Sequence, residues 1–363
     1  MKEKGLTDIK RKGNLYVLIT DIENIKKAIL NASKKKHKRK QVQQILSNID
    51  HYAHEIQKML ISKSYVPSPY IEVIRKDGAA GKERLIAKPK FYPDQCIHWS
   101  VMQILAPEFL KGMYYHNSGS IPKRGPHYAK KYVDRWIKRD PKHTKYALQI
   151  DVAKFYPSID HDILKEMLRK KFKDPDVLWL LESIIDSTDS GLPIGNYTSQ
   201  WFANFYLQRL DHKIKQKYKV KYYSRYMDDC LMFGSNKKKL HLIRKGIEDE
   251  LRRIGLRLKI NWQVYKVNCR APDYVGFRFY RDKIILRKRN ARRIRRRARK
   301  VFKKLLYNYK DSCAMVSYMG WLKHSNSINF YRKNIEPFIN IDSMKEVIRN
   351  ESKKRNESRA LCC

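Results

Sequence analysis

Three carboxylates stand where they could do chemistry. Asp151 ends the apolar run Tyr146-Ala-Leu-Gln-Ile-Asp151, which reads as a buried strand closing on an acid. Asp228 and Asp229 fall in Tyr226-Met-Asp-Asp229, at the turn between two apolar strands, Lys219–Arg225 and Cys230–Gly234. A strand-end acid beside a hairpin acid suits phosphoryl transfer to a growing chain. That reaction uses two divalent ions about 3.5–4 Å apart, one at the attacking hydroxyl and one at the triphosphate and leaving group. Mg²⁺ prefers hard oxygen ligands and takes one or two protein carboxylates, with phosphates completing its shell. Successive strand residues point to opposite faces, so Asp228 is expected to be the main hairpin ligand and Asp229 an auxiliary one. A solvated Asp-Asp turn is the competing reading. The apolar flanking strands and the earlier strand-end acid weigh against it.

These acids need elements to hold them. Residues 22–62 read as helices with a basic joint at Lys34 to Lys40. Two prolines between Tyr65 and Tyr70 break that region, and an extended pair follows, Tyr70–Arg75 and Arg84–Lys88, linked by a Gly-containing turn. Residues 95–110 read as helix and 116–126 as a Ser-, Gly- and Pro-rich loop. After Asp151 a turn at Pro157 leads to a helix from about Asp160. A second loop, Ser187 to Asn196, leads to a helix capped by Thr198 or Ser199. Residues 274–280 and 283–287 read as a further hairpin. From Asn290 the chain reads as helical, with Ala291, Ile294, Ala298, Val301 and Leu305 on one apolar face.

Charge is the outlying property of the 363 residues. Lys plus Arg number 80 and Asp plus Glu 36, so the formal net charge is 80 − 36 = +44. Such an excess opposes compaction through self-repulsion and calls for a polyanion. Nucleic acid fits, because phosphates release counterions when Lys and Arg approach. A basic membrane-surface protein is the rival, but the sequence offers no amphipathic anchor or lipidation motif, so no membrane partner is expected. Six cysteines form no C-x-x-C pair with a matching His set, which argues against zinc. Met1 to Lys12 is basic and polar, so no secretory leader is expected, and a reduced, cytoplasmic setting follows.

With these residues in view, the chain resembles the reverse transcriptases of bacteria and phages, from about residue 20 to about 335. Gln149-Ile-Asp-Val-Ala-Lys-Phe-Tyr156 resembles the first catalytic motif of that family, Gly191-Leu-Pro-Ile-Gly-Asn-Tyr-Thr-Ser-Gln200 the next, and Tyr226-Met-Asp-Asp229 the third. Tyr274-Val-Gly-Phe-Arg-Phe279 resembles the primer-grip hairpin. The resemblance implies an α+β right-hand polymerase. Fingers and N-terminal helices would occupy 1–142, a palm with an antiparallel sheet 143–282, a small basic helical thumb 283–345, and a C-terminal tail 346–363. It implies an RNA-directed DNA polymerase with Asp151, Asp228 and Asp229 catalytic. The metal ligands would be the same three acids and Val152, holding two Mg²⁺ ions for which Mn²⁺ can substitute.

The nucleotide site implied by the resemblance comprises Lys82, Arg84, Val152, Phe155, Tyr156, Ile194 and Gln200. Tyr156 falls at the steric gate, where an aromatic ring blocks a ribose 2′ hydroxyl; a core tyrosine is the plainer reading. Lys82 and Arg84 match the fingers strand that grips the triphosphate, Arg by its bidentate fork, and a solvated basic pair is the plainer reading there. The run Arg287–Lys300 has ten Lys or Arg in fourteen residues and no acid. Such runs are usually solvated faces. With its apolar stripe, this one resembles the start of a thumb, and Arg287, Arg292, Arg293, Arg295, Arg296 and Arg299 are the candidate nucleic-acid contacts.

Most relatives carry Gln-Gly-x-x-x-Ser-Pro where this chain has Ile194-Gly-x-x-x-Ser199-Gln200. That version, together with Asn261-Trp-Gln-Val264, resembles the enzymes of diversity-generating retroelements. The partners implied are template RNA, the cDNA and its primer, deoxynucleoside triphosphates and a small helical accessory protein oligomer, with errors concentrated at template adenines. Another bacterial reverse transcriptase, of retron, defence or group II intron type, is the alternative. A non-catalytic RNA-binding protein with a polymerase fold is the alternative of another class. Two departures stand out: Asp94-Gln95 replaces the usual Asp-Arg, and the lysine of the family's fourth motif has no clear place in the sequence, Lys259 being the candidate.

Overall fold

The computed structural model describes residues 13–77, 82–304 and 306–360. Four helices open the chain: α1 (Tyr16–Thr20), α2 (Ile22–Ser33), α3 (Lys40–Ser47) and α4 (Ile49–Ile61). Asp21 caps α2 by accepting from the Asn24 amide at 2.9 Å. The basic stretch between α2 and α3 is a turn, in keeping with its lack of apolar residues. Strands β1 (Ile71–Asp77) and β2 (Lys82–Lys88) form an antiparallel ribbon from Ile71↔Lys88 to Asp77↔Lys82. The turn at 78–81 lies outside the described residues.

Helices α5 (Cys96–Leu110) and α6 (Pro126–Arg139) follow. The sequence reading leaves α6 unassigned, although Pro126 stands at its first position and Ala129, Val133, Trp136 and Ile137 bury one side. Next come β3 (Tyr146–Ile150), α7 (His161–Lys171), α8 (Pro175–Ile185), α9 (Tyr197–Tyr206) and α10 (Gln208–Gln216). Asp160 caps α7, accepting from Ile163 N at 3.0 Å. Asp174 caps α8 and also accepts from Leu15 N and Tyr16 N, both at 3.0 Å, tying α1 to the palm. The start of α9 corrects one expectation. Its cap position is Asn196, and Thr198 and Ser199 are buried inside the first turn. The chain turns earlier because Gly195 has φ 149° and lies against β2.

Strands β4 (Tyr222–Tyr226), β5 (Asp229–Gly234) and β6 (Gln263–Lys266), with α11 (Lys237–Arg252) between the last two, complete a four-stranded antiparallel sheet of order β4-β5-β3-β6. Its alternation is two-sided. Leu148, Ile150, Cys230 and Met232 join a core with the fingers and palm helices, whereas Ala147, Leu231 and Phe233 join a second core with α6 and the C-terminal elements. Strands β7 (Asp273–Tyr274), β8 (Phe277–Phe279) and β9 (Ile284–Leu286) form a small antiparallel sheet. Gly276 at its turn has φ 89°, and a Cβ there would meet the Trp321 ring at 2.5 Å.

Helices α12 (Lys288–Phe302), α13 (Tyr309–Lys323), α14 (Ile328–Asn334) and α15 (Ile341–Ala360) close the chain. Ile294, Ala298 and Val301 of α12 are buried as their spacing predicts; Leu305 lies outside the described residues. Helix α15 runs unbroken through 345–346, so no tail begins there. Among the described residues no helix is long and apolar enough to cross a membrane.

Candidate active site

The sheet brings the two ends of the motif together. β3 pairs with β5, Ile150↔Cys230, so Asp151, one residue past β3, arrives beside the β4–β5 turn. The Tyr226↔Asp229 pair leaves Met227 and Asp228 as a two-residue turn, with Met227 at φ 55°. Asp228 lies within hydrogen-bonding reach of Asp151, and burial together with the Asp151 charge pushes its carboxyl up to about 6. Asp229 looks to the other face, as strand alternation requires, where Gln149 Nε2 donates to its Oδ1 at 3.5 Å. Burial, then Asp151, raises its carboxyl to about 7.

Lys259 closes the site from the third side. Its amide donates to the Asp151 carbonyl at 2.9 Å, and its ammonium lies 2.5 Å from Asp151 Oδ2. Residues 257–259 therefore run antiparallel to 151–153, with Val152 bridged to Leu258. Among the described residues no three His, Cys, Asp or Glu side chains form a ready-made metal cage. The residues nevertheless suit Mg²⁺, which is held in such sites by one or two carboxylates and by substrate phosphate. Two crowded carboxylates balanced by a lysine ammonium mark a place where positive charge is needed. The side chains of Val152 and Phe155 are in the core, so only their backbone can face a substrate or ion.

Tyr156 sits beside these acids. Its hydroxyl pKa is raised by burial and by the Asp228 charge, and Arg84 acts in the opposite direction, which puts Arg84, Tyr156 and Asp228 in one electrostatic neighbourhood. Lys82 begins β2, but its side chain lies outside the described ones. The loop before α9 is strapped to Tyr156: Leu192 N donates to the Tyr156 carbonyl at 2.9 Å, and a Cβ on Gly191 would meet Pro157 backbone at 2.6 Å. A Cβ on Gly195 would meet the Ala87 carbonyl at 2.1 Å, so both glycines are demanded by close backbone approach. Ile194 between them is half-buried, and Gln200 is exposed on the first turn of α9. Of the departures noted above, Asp94 is buried and accepts from Tyr65 Oη at 2.9 Å. Gln95 donates to the Pro89 carbonyl at 2.8 Å and receives the Lys36 ammonium.

The turn rests on residues that sequence reasoning passed over. Arg225, fully buried, donates to Asp211 and, through Nη1, to the carbonyl of Met227 at 3.0 Å. Asn204 accepts from Arg225 at 3.0 Å and from Asn117 at 3.0 Å, and donates to the Gly119 carbonyl at 2.8 Å. A Cβ on Gly119 would meet Met227 N at 2.4 Å. The available signal was an arginine inside an otherwise buried strand.

A basic groove of about 890 Å³ opens between the small sheet and α12. Arg292, Arg293 and Arg296 line it, joined by Arg270, Arg278, Arg289 and Arg297, which the sequence reading did not single out. Arg295 and Arg299 do not line it. The 3.6-residue period turns them to the other flank, where Arg299 lies over the Phe338 ring at 5.6 Å. Arg287 lines the groove but is paired with Asp273. The Asp273 carbonyl accepts from Gln149 at 2.9 Å, so a polar chain runs from Asp229 through Gln149 and Asp273 to the foot of α12.

Fold and site define a right-hand polymerase: fingers ribbon, antiparallel palm sheet with paired acids at its turn, and a basic helical thumb. Residues 74–279 match the family described as reverse transcriptase (RNA-dependent DNA polymerase), more than half of the chain, and the chain belongs to that family. The Retron Ec73 reverse transcriptase of Escherichia coli is 33% identical over 140 residues, covering 35% of this chain and 44% of the relative, so the match spans less than half of that relative. Apo telomerase from Candida Tropicalis aligns with TM-score 0.48 and 12% identity, over 84% of this chain and 63% of that one. A form of it truncated from the C-terminal domain aligns with TM-score 0.43 and 14% identity, over 65% and 59%.

Proposed function

We propose that this chain copies an RNA template into DNA by adding deoxynucleotides to a primer at the Asp151–Asp228 pair. The observation that carries the reading is the convergence of Asp151, Asp228 and Lys259 beside Tyr156 within the matched family region. Divalent ions, when bound there, acidify the primer hydroxyl and hold the triphosphate. Asp151 and Asp228 supply the fixed negative charge for that purpose. Lys259 neutralises Asp151 and, in this reading, donates a proton to departing pyrophosphate. In this reading the Tyr156 ring excludes a ribose 2′ hydroxyl and Arg84 of β2 meets phosphate. The α12 groove holds the template–primer backbone.

For the biological setting, a diversity-generating retroelement is favoured by Ile194-Gly-x-x-x-Ser199-Gln200. A second reading, a retron-type enzyme, is favoured by the match to the Escherichia coli retron protein. The +44 charge exceeds what one groove neutralises, which supports a structured RNA and a small helical accessory protein as partners in the cytoplasm.

Primer extension on a defined RNA tests the activity. Asp151→Asn and Asp228→Asn should each reduce it by at least about 10³-fold, the equivalent of several kcal/mol of charge stabilisation, with hybrid binding retained. Near-normal extension by Asp228→Asn would overturn the assignment.

A further inference from the structure

Helix α6 alternates aromatic and basic residues along its outward side. Tyr128, Lys131, Tyr132 and Arg135 share one face at helical spacing, while the opposite face is buried. Tyr115, from the preceding loop and 55% exposed, stands edge-on to Tyr128 and Tyr132, with ring centroids 5.9 and 5.8 Å away. Its hydroxyl and that of Tyr132 are hydrogen-bonded at 2.8 Å. The Arg124 guanidinium lies 5.6 Å from the Tyr115 ring and 5.8 Å from the Tyr128 ring, and Arg135 lies 5.7 Å from the Tyr132 ring.

Three rings are thus fixed in a cluster at the surface, each faced by a guanidinium, with Lys123, Lys131 and Arg135 exposed nearby. None of these residues lines the basic groove, and α6 packs against β8 and the edge strand β4. Hydroxyl-to-hydroxyl bonding and cation contact hold the rings while leaving about half of Tyr115 exposed. A ring held in this way offers a flat apolar face to a stacking partner.

We propose that this face is a stacking platform for a single-stranded polynucleotide, the stretch of template or product lying outside the groove. Bases present a π-face whatever their sequence, and the surrounding guanidinium and ammonium groups follow the backbone. Only the identity of that strand rests on the function proposed above.

The test uses the full chain and unstructured oligonucleotides of about twelve residues, uridine RNA and deoxyuridine DNA, measured at one salt concentration. Replacing both rings, Tyr115→Ser with Tyr132→Ser, should weaken binding by about tenfold or more. The pair Tyr115→Phe with Tyr132→Phe keeps the rings and should bind within about twofold of the parent, as stacking requires. Extension of a short pre-annealed hybrid should be unchanged in both, which also shows that the fold is intact. A larger loss for RNA marks the strand as template, and a larger loss for DNA marks it as product. Parental affinity in the Ser pair, or an equal loss in the Phe pair, would overturn the platform. Absence of extension by the parent chain would sink the polymerase reading and leave the binding result standing.

Discussion

Arg225 grips Asp211 with two parallel hydrogen bonds, Nε to Oδ1 at 2.8 Å and Nη2 to Oδ2 at 2.6 Å, and neither side chain is exposed. The remaining nitrogen of the fork reaches the carbonyl of Met227, the residue before Asp228. Tyr223 donates to the same Asp211 at 2.6 Å. A buried pair of this kind adds little net stability over apolar packing, but a half-pair is costly. Its role here is to hold a strained turn, in which Met227 has positive φ, in the one shape that presents Asp228 to Asp151.

Stability and activity should therefore separate. Arg225→Leu alone strands a buried carboxylate and should lower unfolding stability by about 3–5 kcal/mol. Combining it with Asp211→Leu should restore most of that loss in a urea titration while primer extension stays impaired, because the Met227 carbonyl has lost its donor. Full extension by the double variant would show that the fork serves packing alone.

The paired acids predict a pH-dependent response to Mg²⁺. Asp228 and Asp229 are raised to about 6 and about 7 from an ordinary 3.8. A folded pKa above the unfolded one means that the stabilising contribution is present below about pH 4 and fades as pH rises through 6 to 7. Mg²⁺ held by these acids would favour their ionised forms and relieve their mutual repulsion. The rise in Tm on adding Mg²⁺ should be larger at pH 8 than at pH 5. A larger rise at pH 5 would contradict the assignment of these acids to metal.

Helix geometry divides the arginines of α12. Neutralising Arg292, Arg293 and Arg296 to Gln should reduce the slope of log affinity against log salt for an RNA–DNA hybrid by about 2, at roughly 0.7–0.9 per phosphate contact. Neutralising Arg295 and Arg299 should change it much less. Equal effects from the two sets would mean that the whole helix is a diffuse charged surface rather than one wall of a groove.

The proposed retroelement reading makes fidelity depend on Ile194, whose side chain has no hydrogen-bond donor or acceptor. Products copied from a defined RNA should show errors concentrated opposite template adenines, where base pairing has two hydrogen bonds. Ile194→Gln should lower that error rate by about two- to tenfold, the worth of one positioned hydrogen bond. Equal error rates at all four template bases would remove the support for a diversity-generating retroelement and leave the retron-type reading.

Local signals carried a large part of this protein. The apolar run into Asp151, the Tyr-Met-Asp-Asp turn and the alternation around it are short-range patterns. Secondary structure follows them because side-chain period and turn chemistry act over a few residues. Residue type and spacing singled out Asp151 and Asp228, while the right-hand fold and the role of Tyr156 came from the family resemblance that the order of those motifs carries. The tertiary structure decided what depends on residues far apart in sequence. It joined Arg225 to Asn204 and Asp211, and Gln149 to Asp229 and Asp273. It set Lys259 on Asp151 across 108 positions. It also chose which side of α12 faces a groove, since periodicity names the buried stripe but not which exposed flank meets the small sheet. Burial raised the acids' pKa values, and burial is a property of the packed whole, to which each strand brings only one face.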